Sequence, residues 1–247
     1  MKVLFFDIEN IHRPEHIFNR GRQGKFGSKP AGFCADLAYI LVFGYKWLGD
    51  DKAKYIIASK KDFKKDPLSD ASILDQIYSI MNEAEVIVTW YGANHDFPFV
   101  TARLAQQGKF LDQQILHIDL QKLARKALPL SSNRLNNVAK FFGKELKTSI
   151  SPAIWAKTWM GDYDALTEMA DYCVQDVEVL SQLYDSLKVL GNKMPHFGVD
   201  QGLDKHKSCR HCGSQKLIGN GRRVTKSRTY ARLRCPDCGG GQIGDPV

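Results

Sequence analysis

The chain has 247 residues, 43% hydrophobic and 25% charged, enough to bury a core without disulfide staples. Its net charge of +8 is unevenly placed: ten basic and no acidic residues lie between Lys205 and Arg234, while the remainder carries 25 basic and 27 acidic residues. A basic tail on a near-neutral body points to a polyanion partner, most often nucleic acid, the bland alternative being a tail that only aids solubility.

The elements follow in chain order. Val3 to Ile8 is a short apolar run that reads as a buried strand, and Asn10 to Gly32 reads as a polar loop. Leu37 to Trp47 and Lys54 to Ala58 read as two further strands, joined by a turn at Gly49-Asp50-Asp51. Ile73, Ile77, Ile80 and Met81 recur at helical spacing, with Ser69 or Asp70 as N-cap. Val86 to Trp90 is a strand, Phe97 to Gln107 a helix, Ile115 to Leu120 a strand, and Arg134 to Phe142 a short helix stopped by Gly143. Leu166, Ala170, Cys173, Val177, Leu180, Tyr184 and Leu187 mark a long helix that Asp164 can cap. Gly191 to Lys207 reads as a linker. Three strands followed by strand–helix alternation indicate an α/β fold, a mixed sheet flanked by helices. The longest apolar run, Leu37 to Tyr45, is too short to span a bilayer, and Asp7 and Glu9 interrupt the first apolar run, so no signal peptide is read and a cytoplasmic location is expected.

Three acidic pieces stand out. Asp7-Ile8-Glu9 ends the first strand, and alternation puts both carboxylates on one face with Ile8 on the other. Carboxylates breaking out of so apolar a strand are expensive unless paired or metal-bound, although a strand end reaching solvent would also allow them. Asp96, in Trp90-Tyr-Gly-Ala-Asn-His-Asp96-Phe-Pro-Phe99, follows a strand where a helix begins, a position that also suits a plain N-cap. Tyr172 and Asp176 lie four residues apart on one face of the long helix, on the stripe Met169, Tyr172, Asp176, Val179, Leu183 beside the core.

In this order and spacing the three pieces resemble the DEDD superfamily of 3′–5′ exonucleases in its tyrosine branch, and locally the exonuclease domains of family B DNA polymerases. Phe6-Asp7-Ile8-Glu9 is similar to the first motif, Asn94-His95-Asp96-Phe97-Pro98-Phe99 to the second and Tyr172-Cys173-Val174-Gln175-Asp176 to the third. His117-Ile118-Asp119-Leu120 and the helix from Ser131 to Gly143 resemble the segments that precede the third motif. His95 departs from the usual Phe, and Asp171 stands where the other branch carries a His. The resemblance covers residues 1–190 and implies a ribonuclease H-like fold with two Mg²⁺ or Mn²⁺ ions. It implies that Asp7, Glu9 and Asp176 hold the ion carrying the attacking water, that Asp7 bridges to a second ion which Asp96 helps to hold through water, and that Tyr172 orients the attacking water. Hard divalent cations take oxygen ligands, and two of them about 3.5–4 Å apart can stabilise both attacking and leaving oxygens. Trp90, Tyr91 and Phe97 are candidates to stack on bases, core packing being the alternative for at least one of them.

Cys34 and Cys173 are isolated, whereas Cys209, Cys212, Cys235 and Cys238 form two C-x-x-C-G pairs that suit one structural zinc ion. Asn220-Gly221 reads as a hairpin turn between them. On the returning strand Arg228, Tyr230, Arg232 and Arg234 face one way and are expected to bind nucleic acid. Knuckle, turn, Arg-rich strand and second knuckle resemble the DNA-binding zinc ribbons of some transposases, while a ribbon that only docks on protein remains the alternative. The expected organisation is a catalytic domain over residues 1–190, a linker over 191–206 and a four-cysteine ribbon over 207–241.

The leading expectation is a 3′–5′ exonuclease acting on a single-stranded or frayed 3′ end, DNA before RNA, in company with a replication or repair protein. An exoribonuclease or a structure-specific endonuclease on the same site is the second reading, and a non-catalytic nucleic-acid-binding protein the third.

Overall fold

The computed structural model describes residues 1–12, 35–36, 38–144, 150–191 and 194–247. Beyond His12 the expected Asn10–Gly32 loop lies outside the described residues, as does Cys34. The chain divides into two compact units, Lys2–Leu183 and Tyr184–Val247, Met1 being grouped with the second.

The larger unit is built on a five-stranded sheet in the order β3-β2-β1-β4-β5. The strands are β1 Val3–His12, β2 Ala38–Trp47, β3 Lys54–Ile57, β4 Val86–Thr89 and β5 Leu116–Asp119. β1, β2 and β3 run antiparallel as a meander; β4 and β5 then join on the other side of β1 in parallel. This is the expected mixed sheet, with the direction of winding reversed at β1. Leu4, Phe6 and Ile8 enter the main apolar cluster, where Phe6 stacks on Phe43 with ring centroids 5.2 Å apart. All four residues of β4 are buried, so both faces of the sheet are covered there.

The helices of this unit are α1 Lys60–Lys65, α2 Leu74–Asn82, α3 Asp96–Ala105, α4 Leu120–Ala127, α5 Leu135–Phe141, α6 Pro152–Trp159 and most of α7 Tyr163–Lys188. Two caps differ from expectation. Asp70 does not cap α2: its carboxylate receives Nε and Nη2 of Arg103 at 2.7 Å each and the Ile40 N–H at 3.1 Å, a buried charge with its partners supplied. Nor is Asp164 the cap of α7; Asp162 Oδ1 accepts the N–H groups of Asp164 and Ala165. Helices α1, α4 and α6 are additional to those expected from the sequence. Each begins at a side-chain cap, Ser59, Asp119 and Ser151 respectively.

The smaller unit holds the end of α7, a short helix α8 Phe197–Asp200 within the stretch expected to be a linker, and a three-stranded sheet β6-β7-β8. Its strands are β6 Ile218–Val224, β7 Thr229–Arg234 and β8 Gly241–Pro246. Asn220-Gly221 is not the hairpin turn. The β6–β7 register slips between Gly219 and Arg222, so the pair forms a bulge, with Gly221 at φ 82°. The chain reverses instead between Thr225 and Arg228, where the Thr225 N–H donates to the Arg228 carbonyl at 2.8 Å and Thr225 Oγ1 accepts the Arg228 N–H at 3.0 Å. Among the described residues no helix is long and apolar enough to cross a membrane.

Candidate functional site

The acidic residues come from elements that the topology brings to one end of the sheet. Asp7 and Glu9 lie on β1, and Asp96 opens α3 directly after the parallel neighbour β4. In open α/β sheets the crevice at the carboxyl ends of the strands, where the strand order reverses, is the usual ligand site. Here the β1–β2 register slips between Glu9 and Asn10, next to the acidic pair, a device that re-aims side chains.

Helix α7 covers this region closely. Gly44 stands opposite Asp7 on β2, and a Cβ there would meet Cys173 Sγ at 2.8 Å and Val177 Cγ2 at 3.2 Å. The missing side chain lets α7 approach the strand, and Cys173 Sγ then contacts the Asp7 carbonyl at 3.5 Å. Asp7, Glu9 and Cys173 form a group whose ligand atoms all lie within 4.8 Å of one another. Asp96 and Asp176 stand outside that tight group. The Cys173 thiol is pushed well up, first by burial and then by the charges of Asp7, Glu9 and Asp176, so Asp176 acts on the same spot. Along α7, Met169, Asp176, Val179 and Leu183 are buried and Tyr172 is half-buried, so the stripe beside the core is real and carries one carboxylate. Glu9 and Asp96 are buried too; Asp7 is half-buried.

The surroundings of Asp96 disfavour its charge. Burial pushes its carboxyl up to about 7, and the nearby Asp119 charge adds to this. Burial lowers His95, whose Nε2 lies 3.9 Å from Asp96 Oδ1 and whose ring leans on Phe99. His117 is depressed to about 4, mainly by burial, and stacks on Phe97 at 4.4 Å while its Nε2 meets Thr89 Oγ1 at 2.9 Å.

Three contributors go beyond the sequence reading. Asp119 caps α4 through the Lys122 N–H and also accepts the N–H groups of Tyr91 and Ala93 at 3.1 and 3.2 Å, which fixes the loop leading to Asp96. Gly44 and Cys173 set the seat of α7; a glycine inside a strand was the legible sign of a close approach.

In the smaller unit the four cysteines cluster within 4.8 Å of one another. Sγ atoms of Cys209 and Cys238 are 3.6 Å apart, and those of Cys212 and Cys235 are 3.7 Å apart. A tetrahedron with metal–sulfur bonds of about 2.3 Å has edges of about 3.8 Å, so the set can hold a zinc ion. Both knuckles close alike: the Gly213 N–H donates to the Cys209 carbonyl and the Gly239 N–H to the Cys235 carbonyl, each at 2.9 Å, with both glycines at positive φ. Burial raises the Cys235 thiol, but the N–H groups of Cys238 and Asp237 and the thiols of Cys212 and Cys209 together outweigh it and bring it down to about 7. Tyr230 pairs across the sheet with Arg223, and Arg232 and Arg234 follow it at alternate positions, both exposed; Arg228 precedes them in the turn.

No curated protein sequence matches the chain. Among solved structures it is similar to the family B DNA polymerase of the hyperthermophilic archaeon Pyrobaculum calidifontis, at a TM-score of 0.55 and 17% identity. The alignment covers 77% of this chain and 25% of the polymerase, so the chain spans about a quarter of that protein's length and the likeness shows the fold. The family model described as RNase_H superfamily matches residues 31–188. With more than half of its length in that match, the chain belongs to the RNase_H superfamily, whose members are typically nucleases.

Proposed function

We propose that the protein is a divalent-metal-dependent 3′–5′ exonuclease acting on a single-stranded or frayed 3′ end, DNA being favoured over RNA. The observation that carries this reading is the acidic group on β1 beneath α7: Asp7 and Glu9 within ligand distance of each other, with the Asp176 charge acting on the same thiol. Neither a plain strand end nor a surface helix accounts for carboxylates gathered in so apolar a seat.

In this reading Asp7, Glu9 and Asp176 would hold the Mg²⁺ or Mn²⁺ ion that carries the attacking water, and Asp7 would reach a second ion that Asp96 helps to hold through water. When bound, the ions would acidify the attacking water and stabilise the departing alkoxide. Tyr172, one helical turn before Asp176, would orient that water through its hydroxyl. The protein's part is to fix these oxygens on a strand and a helix, which hold geometry better than loops do.

Zinc is the metal we assign to the four cysteines, and the ribbon then binds the nucleic-acid backbone through Arg228, Tyr230, Arg232 and Arg234. A cleft of about 600 Å³ in the same unit shares only Arg232 with that set and adds Arg210, Arg222 and Arg223 over Leu190 and Ile243, with no acidic residue, as a further basic surface. We propose a replication or repair protein as a further partner.

The test compares Asp7→Ala, Asp176→Ala and Tyr172→Phe in a Mg²⁺-dependent nuclease assay. Removing either carboxylate should cost more than about a hundredfold in turnover, with the fold kept by circular dichroism. Tyr172→Phe should lose less, because the metal ligands persist. Near-normal turnover of folded Asp7→Ala would remove the assignment.

A further inference from the structure

The loop between β4 and α3 contains one backbone oddity. Tyr91 has φ 67°, and it is the one non-glycine residue in the left-handed region among the described residues. Bulky side chains rarely tolerate that conformation, which glycine and asparagine adopt readily. The turn itself demands it. The Asp119 carboxylate accepts the N–H groups of Tyr91 and Ala93, the Asn94 N–H donates to the Tyr91 carbonyl at 3.1 Å, and the Phe97 N–H donates to the Gly92 carbonyl at 2.9 Å. A Cβ on Gly92 would clash with Thr89 Oγ1, so the next residue is fixed as well. The backbone therefore asks for a residue other than tyrosine, and the phenol ring must be explained by what it touches.

Tyr91 is 40% exposed, and among the described residues its side chain has no hydrogen bond or ring contact. The other two aromatic residues of the segment are engaged: Trp90 Nε1 donates to the Asn133 carbonyl at 3.2 Å, and Phe97 stacks on His117. Strain kept at an exposed side chain, on a loop held rigid by a buried carboxylate, marks a ligand contact. An exposed aromatic face suits another flat π-system.

We infer that Tyr91 is a binding platform for a nucleobase, that of the 3′-terminal nucleotide whose phosphate is delivered to Asp96, five residues further along the chain at the start of α3. This rests on the exonuclease reading given above. Asp119 is the positioning residue: its two hydrogen bonds hold the platform against the strain.

The experiment is a double cycle on the full chain, Tyr91 against Tyr91→Asn and a 5′-labelled oligonucleotide ending in thymidine against the same strand ending in an abasic nucleotide. For the wild-type chain, losing the terminal base should raise KM about tenfold, the size of one base–aromatic stack. Tyr91→Asn should raise KM on the normal strand by a similar factor with kcat changed less than about threefold, and the abasic end should then add nothing. Tyr91→Phe should behave as wild type. Tyr91→Asn should melt no lower than wild type, because asparagine relieves the backbone. KM factors that multiply, or a wild-type chain indifferent to the terminal base, would overturn the platform while leaving the exonuclease reading intact. A wild-type chain that hydrolyses neither strand would remove the exonuclease reading, and the platform with it.

Discussion

His117 gives the stability of the fold a pH dependence of known sign. Its folded value of about 4 lies below the ordinary 6.5, so between these values the unfolded chain binds the extra proton. Its contribution is complete above 6.5 and is lost as pH falls toward 4. Asp96, raised to about 7 from 3.8, works the opposite way, favouring the fold as pH falls through the same range. The two are separated by substitution: His117→Asn should melt with less loss between pH 6.5 and 4 than wild type, measured by thermal denaturation. An identical slope in the two proteins would show that the ring titrates freely. Neither shift was legible in the sequence, since both come from burial that only the packed structure creates. The carboxylates themselves were legible, because Asp7-Ile8-Glu9 in an apolar strand and Tyr172 four residues before Asp176 each break a local rule in a way that a site explains.

At the scale of elements, the seat of α7 on β2 is the feature that brings helix and strand carboxylates toward one another. Gly44→Ala places a methyl 2.8 Å from Cys173 Sγ and should overpack the interface, at a cost of about 1–3 kcal/mol and several degrees of Tm. Because the displaced helix carries Tyr172 and Asp176, nuclease turnover should fall by more than the loss of stability accounts for at 25 °C. Calorimetry beside the activity assay checks this, and an unaltered Tm would show that the helix yields freely. Elements with strong periodicity, such as α7, or with continuous apolar runs, such as β1 and β2, could be read from sequence. Helices α1, α4 and α6 could not, for their apolar faces are short; α1 buries only Phe63. Their caps were the readable sign, Ser59 three residues before Asp62 and Ser151 before Pro152. Asn220-Gly221 misled because the dipeptide supplies positive φ equally well for a bulge as for a turn.

At the scale of the molecule, two compact units divide the labour in this account. Chelating zinc, or replacing Cys235 and Cys238 by Ser, should unfold the ribbon from about residue 207 onward. Zinc binding worth roughly 10–16 kcal/mol in small peptides exceeds what three short strands with few buried side chains can replace. The sheet unit, with its own core, should keep its melting transition; loss of both transitions together would show that the units fold as one. Replacing Arg228, Arg232 and Arg234 by Gln should flatten the salt dependence of binding to long single strands by about 2 log units per log unit of salt, at about 0.7 for each phosphate that the ribbon ceases to neutralise. An unchanged slope would mean that the ribbon docks on protein instead. The central claim, that the RNase H-like unit removes nucleotides from a 3′ end, is met most directly by following a 5′-labelled single strand with Mg²⁺ on a sequencing gel. The expected result is a ladder that shortens one nucleotide at a time from the 3′ end and is absent for Asp7→Ala. Discrete internal fragments, or an intact strand with the metal-loaded wild-type chain, would contradict it.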